Sequence, residues 1–284
     1  MTRLPSDLPE PAPGYVRRRV ERWREAGSAT RDDLIAEEMP VAIRCNGEPF
    51  AVMMITPHEL EDFALGFSLS EGLIDNPGQL LAIESHLLLE GIELALTVTA
   101  DAPANRRDTT RERWLPGRSG CGICGARELE QAVRQPRRVE RNLRFSHAAI
   151  EHALTALPPH QLMNTATGAV HAAAWADAQG QVVLVREDVG RHNALDKLIG
   201  AMHHSGIGAE QGFALITSRA SYEMVMKAAS AGIGMLVAIS APTALAIELA
   251  RSTDLTLIGF ARSGSHNVYS HPQWVCQDAE LGQS

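Results

Sequence analysis

Two thiols set among glycines, Gly120-Cys121-Gly122-Ile123-Cys124-Gly125, carry the richest chemistry in the sequence. Thiols three positions apart in a flexible backbone can grip a metal, cycle as a disulfide, or carry a sulfur atom. For a structural zinc site, a second Cys or His pair at similar spacing is missing, since Cys45 and Cys276 stand alone beside apolar runs. The zinc deaminases pair their Cys-x-x-Cys with an upstream His-x-Glu, which this sequence does not contain. No metal ligand set is therefore expected. A thioredoxin-like exchanger places its pair after the first strand of a βαβ unit. Here the pair follows an irregular stretch containing Arg106, Arg107, Arg111, Arg113 and Arg118, and a helical pattern over 126–133 comes after it. Arg118 and that helix N-terminus both favour a thiolate at Cys121. Such a thiolate can accept sulfane sulfur as a persulfide, and Cys124 can attack the persulfide to release sulfur.

A second set of reactive positions lies where strands give way to helices. These junctions are Arg186-Glu187-Asp188-Val189-Gly190-Arg191-His192-Asn193, Thr217-Ser218-Arg219-Ala220-Ser221, Ser240-Ala241-Pro242-Thr243 and Ala261-Arg262-Ser263-Gly264-Ser265. Hydroxyls and arginines at helix N-termini suit an anionic ligand. Singly, Ser218, Ser221, Ser240 and Thr243 read as helix caps; as a set beside Arg219 and Arg262 they read as a ligand site. No Gly-x-Gly-x-x-Gly and no P-loop is present, so an ordinary dinucleotide or NTPase site is excluded. The charged cluster over 186–197 has two readings, a solvated face with i,i+4 ion pairs or a functional centre. His58 reads as part of a helix cap and His171 as a structural histidine.

The elements that must position these groups follow from patterning. Val41 to Cys45, Asn46-Gly47, and Pro49 to Ile55 make a hairpin signal, because Asn-Gly supplies the positive φ angles of a primed turn. Thr56-Pro57-His58-Glu59 reads as a capping box opening a helix whose inner face is Leu60, Phe63, Ala64 and Phe67. A second hairpin turns at Glu90-Gly91. From about residue 165, apolar strands at 182–185, 213–216, 235–239 and 255–260 alternate with helical patterns at 193–203, 222–231 and 242–251. That alternation predicts a layered, largely parallel sheet.

The expected division is a polar, partly disordered arm over 1–33, an α+β domain over 34–160 carrying a mobile cysteine loop at about 101–125, and an α/β domain over 161–284. Across 284 residues, 45% apolar content supports real cores, and four cysteines make no disulfide framework. A net charge of −8 offers no field for nucleic acid or anionic lipid. No signal peptide or membrane span is legible, and the chain reads as a soluble cytoplasmic protein.

The sequence resembles the family of accessory sulfurtransferases required for formate dehydrogenase activity, over nearly everything after residue 40. The likeness is carried by Thr56-Pro57-His58-Glu59-Leu60-Glu61-Asp62-Phe63 through Phe67 with Ser70-Glu71-Gly72, by Cys121-Gly122-Ile123-Cys124-Gly125, and by Arg186-Glu187-Asp188-Val189-Gly190-Arg191-His192-Asn193-Ala194-Leu195-Asp196-Lys197. Residues 217–227, 240–246 and 257–262 continue it. The resemblance implies a sulfur carrier that takes sulfur from a cysteine desulfurase and passes it to the molybdenum cofactor, in its bis(molybdopterin guanine dinucleotide) form, for formate dehydrogenase. It implies Cys121 as the persulfide residue and Cys124 as its partner. It also implies cofactor contacts from Phe260, Ala261, Arg262, Ser263, Gly264 and Ser265, with Ser218, Arg219 and His192 nearby, and a guanine nucleotide as a mimic of the cofactor. The implied fold is a cytidine-deaminase-like three-layer C-terminal domain beside a smaller α+β domain, in a homodimer. The alternative is a zinc-stapled binding module that docks formate dehydrogenase without sulfur chemistry. Two departures stand out: Gly168-Ala169 where the family often has Gly-Gly, and no basic residue near Ser265.

Overall fold

A computed structural model describes residues 14–25, 27–106, 136, 138–140 and 143–277. Cys121, Cys124, the arginines at 107–118 and the expected helix over 126–133 lie outside the described residues.

Strict alternation builds the smaller sheet. Strand β3 (Met39–Cys45) buries Val41, Ile43 and Cys45, and β6 (Ile92–Val98) buries Ile92, Leu94, Leu96 and Val98. With β4 (Glu48–Ile55) and β5 (Leu80–Leu87) they form a four-stranded sheet in the order β4-β3-β6-β5. Asn46 (φ 48°) and Gly47 (φ 83°) make the expected tight turn between β3 and β4. Helix α1 (Leu60–Ser70) covers the sheet with Phe63, Ala64, Leu65 and Phe67.

Helix α1 does not begin at the expected cap. Its first residue is Leu60, preceded by Glu59 in the left-handed region at φ 55°, and Thr56 caps nothing. The Thr56 hydroxyl instead accepts from Val189 N (3.1 Å), and its carbonyl accepts from Lys197 Nζ (3.1 Å). The longer-range bonds win because Thr56 is fully buried between the two sheets.

The larger sheet has six strands, ordered β13-β12-β11-β10-β8-β9. They are β8 (His171–Asp177), β9 (Val182–Asp188), β10 (Gly212–Ile216), β11 (Met235–Ala238), β12 (Thr256–Arg262) and β13 (Ser265–Val268). Only β10–β11 and β11–β12 pair in parallel; the other three ladders are antiparallel. The expectation of a largely parallel sheet is corrected to a mixed one. Short turns through Gly180 (φ 79°) and Gly264 (φ 85°) join β8 to β9 and β12 to β13, and turns that short permit only antiparallel return.

Helices α4 (Arg191–His204), α5 (Tyr222–Ser230) and α6 (Ala244–Ser252) cover one face of this sheet, and α2 (His147–Ala156) covers the other. The pleat divides β10 between them: Ala214 and Ile216 face α4–α6, while Phe213 and Leu215 face α2. Three layers result. The short helix α3 (Leu162–Thr167) precedes β8, and Glu187 accepts from Met163 N (2.7 Å) and Asn164 N (2.8 Å) in its first turn.

Two expected boundaries change. Strand β7 (Phe145–Ser146) pairs in parallel with β14 (Val275–Cys276), and α2 packs on the large sheet, so 145–160 sit with the C-terminal unit. The expected arm over 1–33 is folded in its later part, where β1 (Tyr15–Arg24) and β2 (Gly27–Ala36) pair as an antiparallel ribbon. Charge complementarity explains a ribbon so poor in apolar residues, since Arg18 faces Asp33 and Arg19 faces Asp32. Tyr15 and Leu34 anchor it against Met163 and Val170. The start of the expected loop is also folded: Ala102 is buried, and Ala104 N donates to Leu73 O (3.0 Å).

Candidate functional site

Because β8 is antiparallel to both β9 and β10, strands β9, β10, β11 and β12 all run the same way. Their C-terminal ends therefore line one edge, where open α/β sheets gather ligands. The four junctions singled out in the sequence all arrive there. Backbone bonds stitch them together: Ala220 N donates to Ala241 O (3.2 Å), Thr243 N to Ala220 O (3.0 Å), and Phe260 N to Ser240 O (3.1 Å).

The hydroxyls at this edge divide into caps and spare groups. Thr243 is a true N-cap, accepting from Ala246 N (3.3 Å) at the start of α6. Ser218 is buried and donates to Arg219 O (3.1 Å). Ser221 occupies the N-cap place of α5 without capping it, and its buried Oγ has no hydrogen-bond partner in the described structure. The buried Nε of Arg191 is likewise unpartnered. A hydroxyl and a guanidinium with unused donors, at helix N-termini, match an anionic group. Arg219 and Arg262 are exposed beside them.

His192 reaches this edge from the first turn of α4, with Nε2 2.6 Å from Glu223 Oε2 on α5, both side chains buried. Glu223 was not legible as a partner, because nothing in the spacing joins two helices 31 positions apart (223 minus 192). His171 also lies at the edge, opposite Asp188 in the ladder. Burial, then the nearby Arg191 and His192, hold its imidazole below the ordinary range, against an opposing pull from Asp188. Its turn-to-strand setting in the sequence predicts a structural histidine.

The segment over 260–265 is split. Phe260 adopts φ 51° and is 43% exposed where the β12–β13 ladder shifts register. Arg262, Ser263, Gly264 and Ser265 are exposed, while the Ala261 side chain is buried beneath α2. Ala261 thus offers a ligand only its backbone. Gly264 N donates to Glu151 Oε2 (2.7 Å), tying the hairpin tip to α2.

The cluster over 186–197 resolves into a brace between the two sheets. Lys197 Nζ, fully buried, lies 2.7 Å from Asp188 Oδ2. Asp188 also accepts from Thr56 N (3.1 Å), Gly190 N (2.8 Å) and Asn193 Nδ2 (2.9 Å), and Asn193 Nδ2 donates to Met54 O (2.8 Å). Arg186 reaches Asp62 (2.7 Å) and Glu59 (3.2 Å). A second buried centre joins Lys227 to Asp196 (2.9 Å), Glu71 (2.8 Å) and Ser70 (3.0 Å). Burial opposes the charge on Lys227, but Asp196 and Glu71 outweigh it and hold the ammonium above its ordinary range. Arg191 and His192, at the start of α4, lie at the strand-end edge, Arg191 with its Nε unpartnered among the described residues. Cys45 and Cys276 are buried, as their apolar settings suggest, and Cys276 Sγ donates to Phe145 O (3.6 Å).

Comparison with known proteins agrees with this architecture. A family model described as the FdhD/NarQ family matches residues 36–276. A protein of Xanthomonas campestris pv. campestris (strain B100) named sulfur carrier protein FdhD is 57% identical over 271 residues, covering 95% of this chain and 96% of the relative. One of the same name from Cupriavidus necator is 49% identical over 262 residues, covering 92% and 90%. A crystal structure of a protein assigned as a formate dehydrogenase accessory protein, from Desulfotalea psychrophila, superposes with a TM-score of 0.71 at 22% identity, covering 93% of this chain and all of that one. At that identity the superposition speaks for the fold.

Proposed function

Since the chain belongs to the FdhD/NarQ family, we propose that it is a sulfur carrier for formate dehydrogenase maturation, accepting sulfur from a cysteine desulfurase and passing it to the molybdenum cofactor. The observation that carries the proposal is the high identity, along almost the whole length, to relatives named as sulfur carriers. In this reading the Cys121 thiolate attacks the sulfane sulfur of the desulfurase persulfide, and the desulfurase thiolate leaves. Cys124 then attacks Cys121 Sγ, sulfide-level sulfur passes to the acceptor, and the resulting disulfide is reduced by an external thiol.

The acceptor, bis(molybdopterin guanine dinucleotide), is a polyanion. The strand-end edge supports its docking, with Arg191, Arg219, Arg262 and the spare hydroxyl of Ser221 beside two helix N-termini. The proposal includes a cytoplasmic homodimer and a cytidine-deaminase-like fold for the three-layer unit, without zinc chemistry. The absent His-x-Glu supports the last point.

Incubation with a cysteine desulfurase and cysteine, followed by intact-mass measurement, tests the first step. A gain of one or more sulfur atoms is expected on the parent chain and none on Cys121→Ala. An adduct that survives that substitution overturns the assignment.

A further inference from the structure

Three side chains far apart in sequence converge beneath the β12–β13 hairpin. Ser146 caps α2, its hydroxyl accepting from Ala149 N (3.0 Å), and so fixes the turn that carries His147. Glu151 follows one turn later on the same face. The bulged β12–β13 pairing brings His266 against them, with the His147 and His266 rings 4.8 Å apart at centroid and 37° between planes. One donor atom from each of His147, Glu151 and His266 lies within 4.8 Å of the other two.

Two of these groups carry unused polar atoms. Glu151 Oε2 accepts from Gly264 N, but Glu151 Oε1 is buried with no partner in the described structure, and so is His266 Nδ1. A buried carboxylate oxygen and a buried ring nitrogen without partners are each costly, and one cation held by both removes that cost. We propose that His147, Glu151 and His266 form a divalent transition-metal site of the zinc type, with a fourth position open to water.

The donor chemistry fits. Two imidazoles and one carboxylate are a zinc ligand set with an open position, and the Gly264 amide orients the carboxylate as an outer partner would. Burial, then the neighbouring His147, holds His266 below the usual imidazole range against an opposing pull from Glu151, which favours the neutral, ligating form. Zinc with ligands at about 2.1 Å needs donors about 3.4 Å apart, so binding draws these groups together by roughly an ångström. The ion would pin the turn at Ser263-Gly264 to α2. That consequence bears on the proposed cofactor segment; the site itself stands independently of the sulfur-carrier reading. No spacing in the sequence announces it, because the ligands come from a helix and a distant strand.

The test uses the full chain with Cys121→Ser and Cys124→Ser, so that neither thiol competes. Cobalt(II) titration should give one saturable equivalent with visible d–d bands and no thiolate charge-transfer band, and zinc should displace it. Adding His266→Ala or Glu151→Gln should weaken zinc binding about tenfold or more. Circular dichroism checks each fold, and His147→Gln, at the helix surface, decides if His266→Ala is misfolded. No saturable binding, or binding unchanged in the ligand variants, overturns the site. The persulfide assay on the parent chain reads Cys121 alone, so the two proposals fail separately.

Discussion

Lys197 shows how a residue that looks catalytic can be structural. Its side chain has no exposure, and its ammonium is shared among Asp188 Oδ2 and the carbonyls of Thr56 (3.1 Å) and Glu187 (3.4 Å). A lysine and an aspartate nine positions apart, at the end of an apolar strand pattern, have the composition of an active site. Here both charges are consumed by each other and by backbone from the other sheet. Replacing Lys197 with Met keeps the volume but leaves Asp188 as an uncompensated buried anion, which costs about 3–5 kcal/mol. The urea midpoint of Lys197→Met should fall accordingly, and adding Asp188→Asn should recover part of the loss. A midpoint within experimental scatter of the parent would sink the brace. Arg191 and Ser221 behave in the opposite way: their chemistry was legible as a helix-terminus set, and their buried donors find no partner among the described residues, which supports the proposed docking of an anionic ligand there.

Between elements, the controlling contact is the crossing of α1 and α4. A Cβ on Gly66 would lie 1.7 Å from Asp196 O, and one on Gly200 would lie 1.9 Å from Asp62 O. The helices meet backbone to backbone, each glycine accepting the other helix. This closeness lets short side chains reach across, as Ser70 Oγ donates to Asp196 Oδ1 at 2.6 Å. Gly66→Ala and Gly200→Ala should each destabilise by about 1–3 kcal/mol or more through overpacking, read as a lowered urea midpoint. Unchanged stability in both would contradict the close approach. Elements defined by local rules were legible here. The Asn46-Gly47 turn and the strand–helix alternation after residue 182 follow from φ preference and periodicity. Elements defined by distant partners were not. Thr56 satisfies every local rule for an N-cap, yet the Val189 amide and the buried Lys197 ammonium claim it. The two-residue strands β7 and β14 exist only because each finds the other across the chain. The antiparallel flanks of the large sheet depend on turns that alternation alone does not reveal.

For the whole molecule, these contacts decide whether the two sheets behave as one body or two. The change of patterning near residue 161 predicts separate domains. Against that, Arg186 of the large sheet binds Glu59 and Asp62, His204 binds Asp62 (2.6 Å), and Lys227 binds Glu71 while lying 5.4 Å from the Phe67 ring centroid. Helix α1 thus faces the small sheet with Phe63 and Ala64 and the large unit with Gly66, Ser70 and Asp62. It cannot leave one without exposing the other. Separating the two sheets would break these pairs and the close α1–α4 packing together, so the two sheets should unfold as one unit. Scanning calorimetry should therefore show one transition with equal calorimetric and van 't Hoff enthalpies. The β1–β2 ribbon, largely exposed and anchored by little more than Tyr15 and Leu34, should stand apart from that unit. Its amides should exchange by local opening, well before those of β10 and β11. Two resolved calorimetric transitions, or ribbon amides protected to the level of β10, would show that the coupling runs along different lines from the α1–α4 brace.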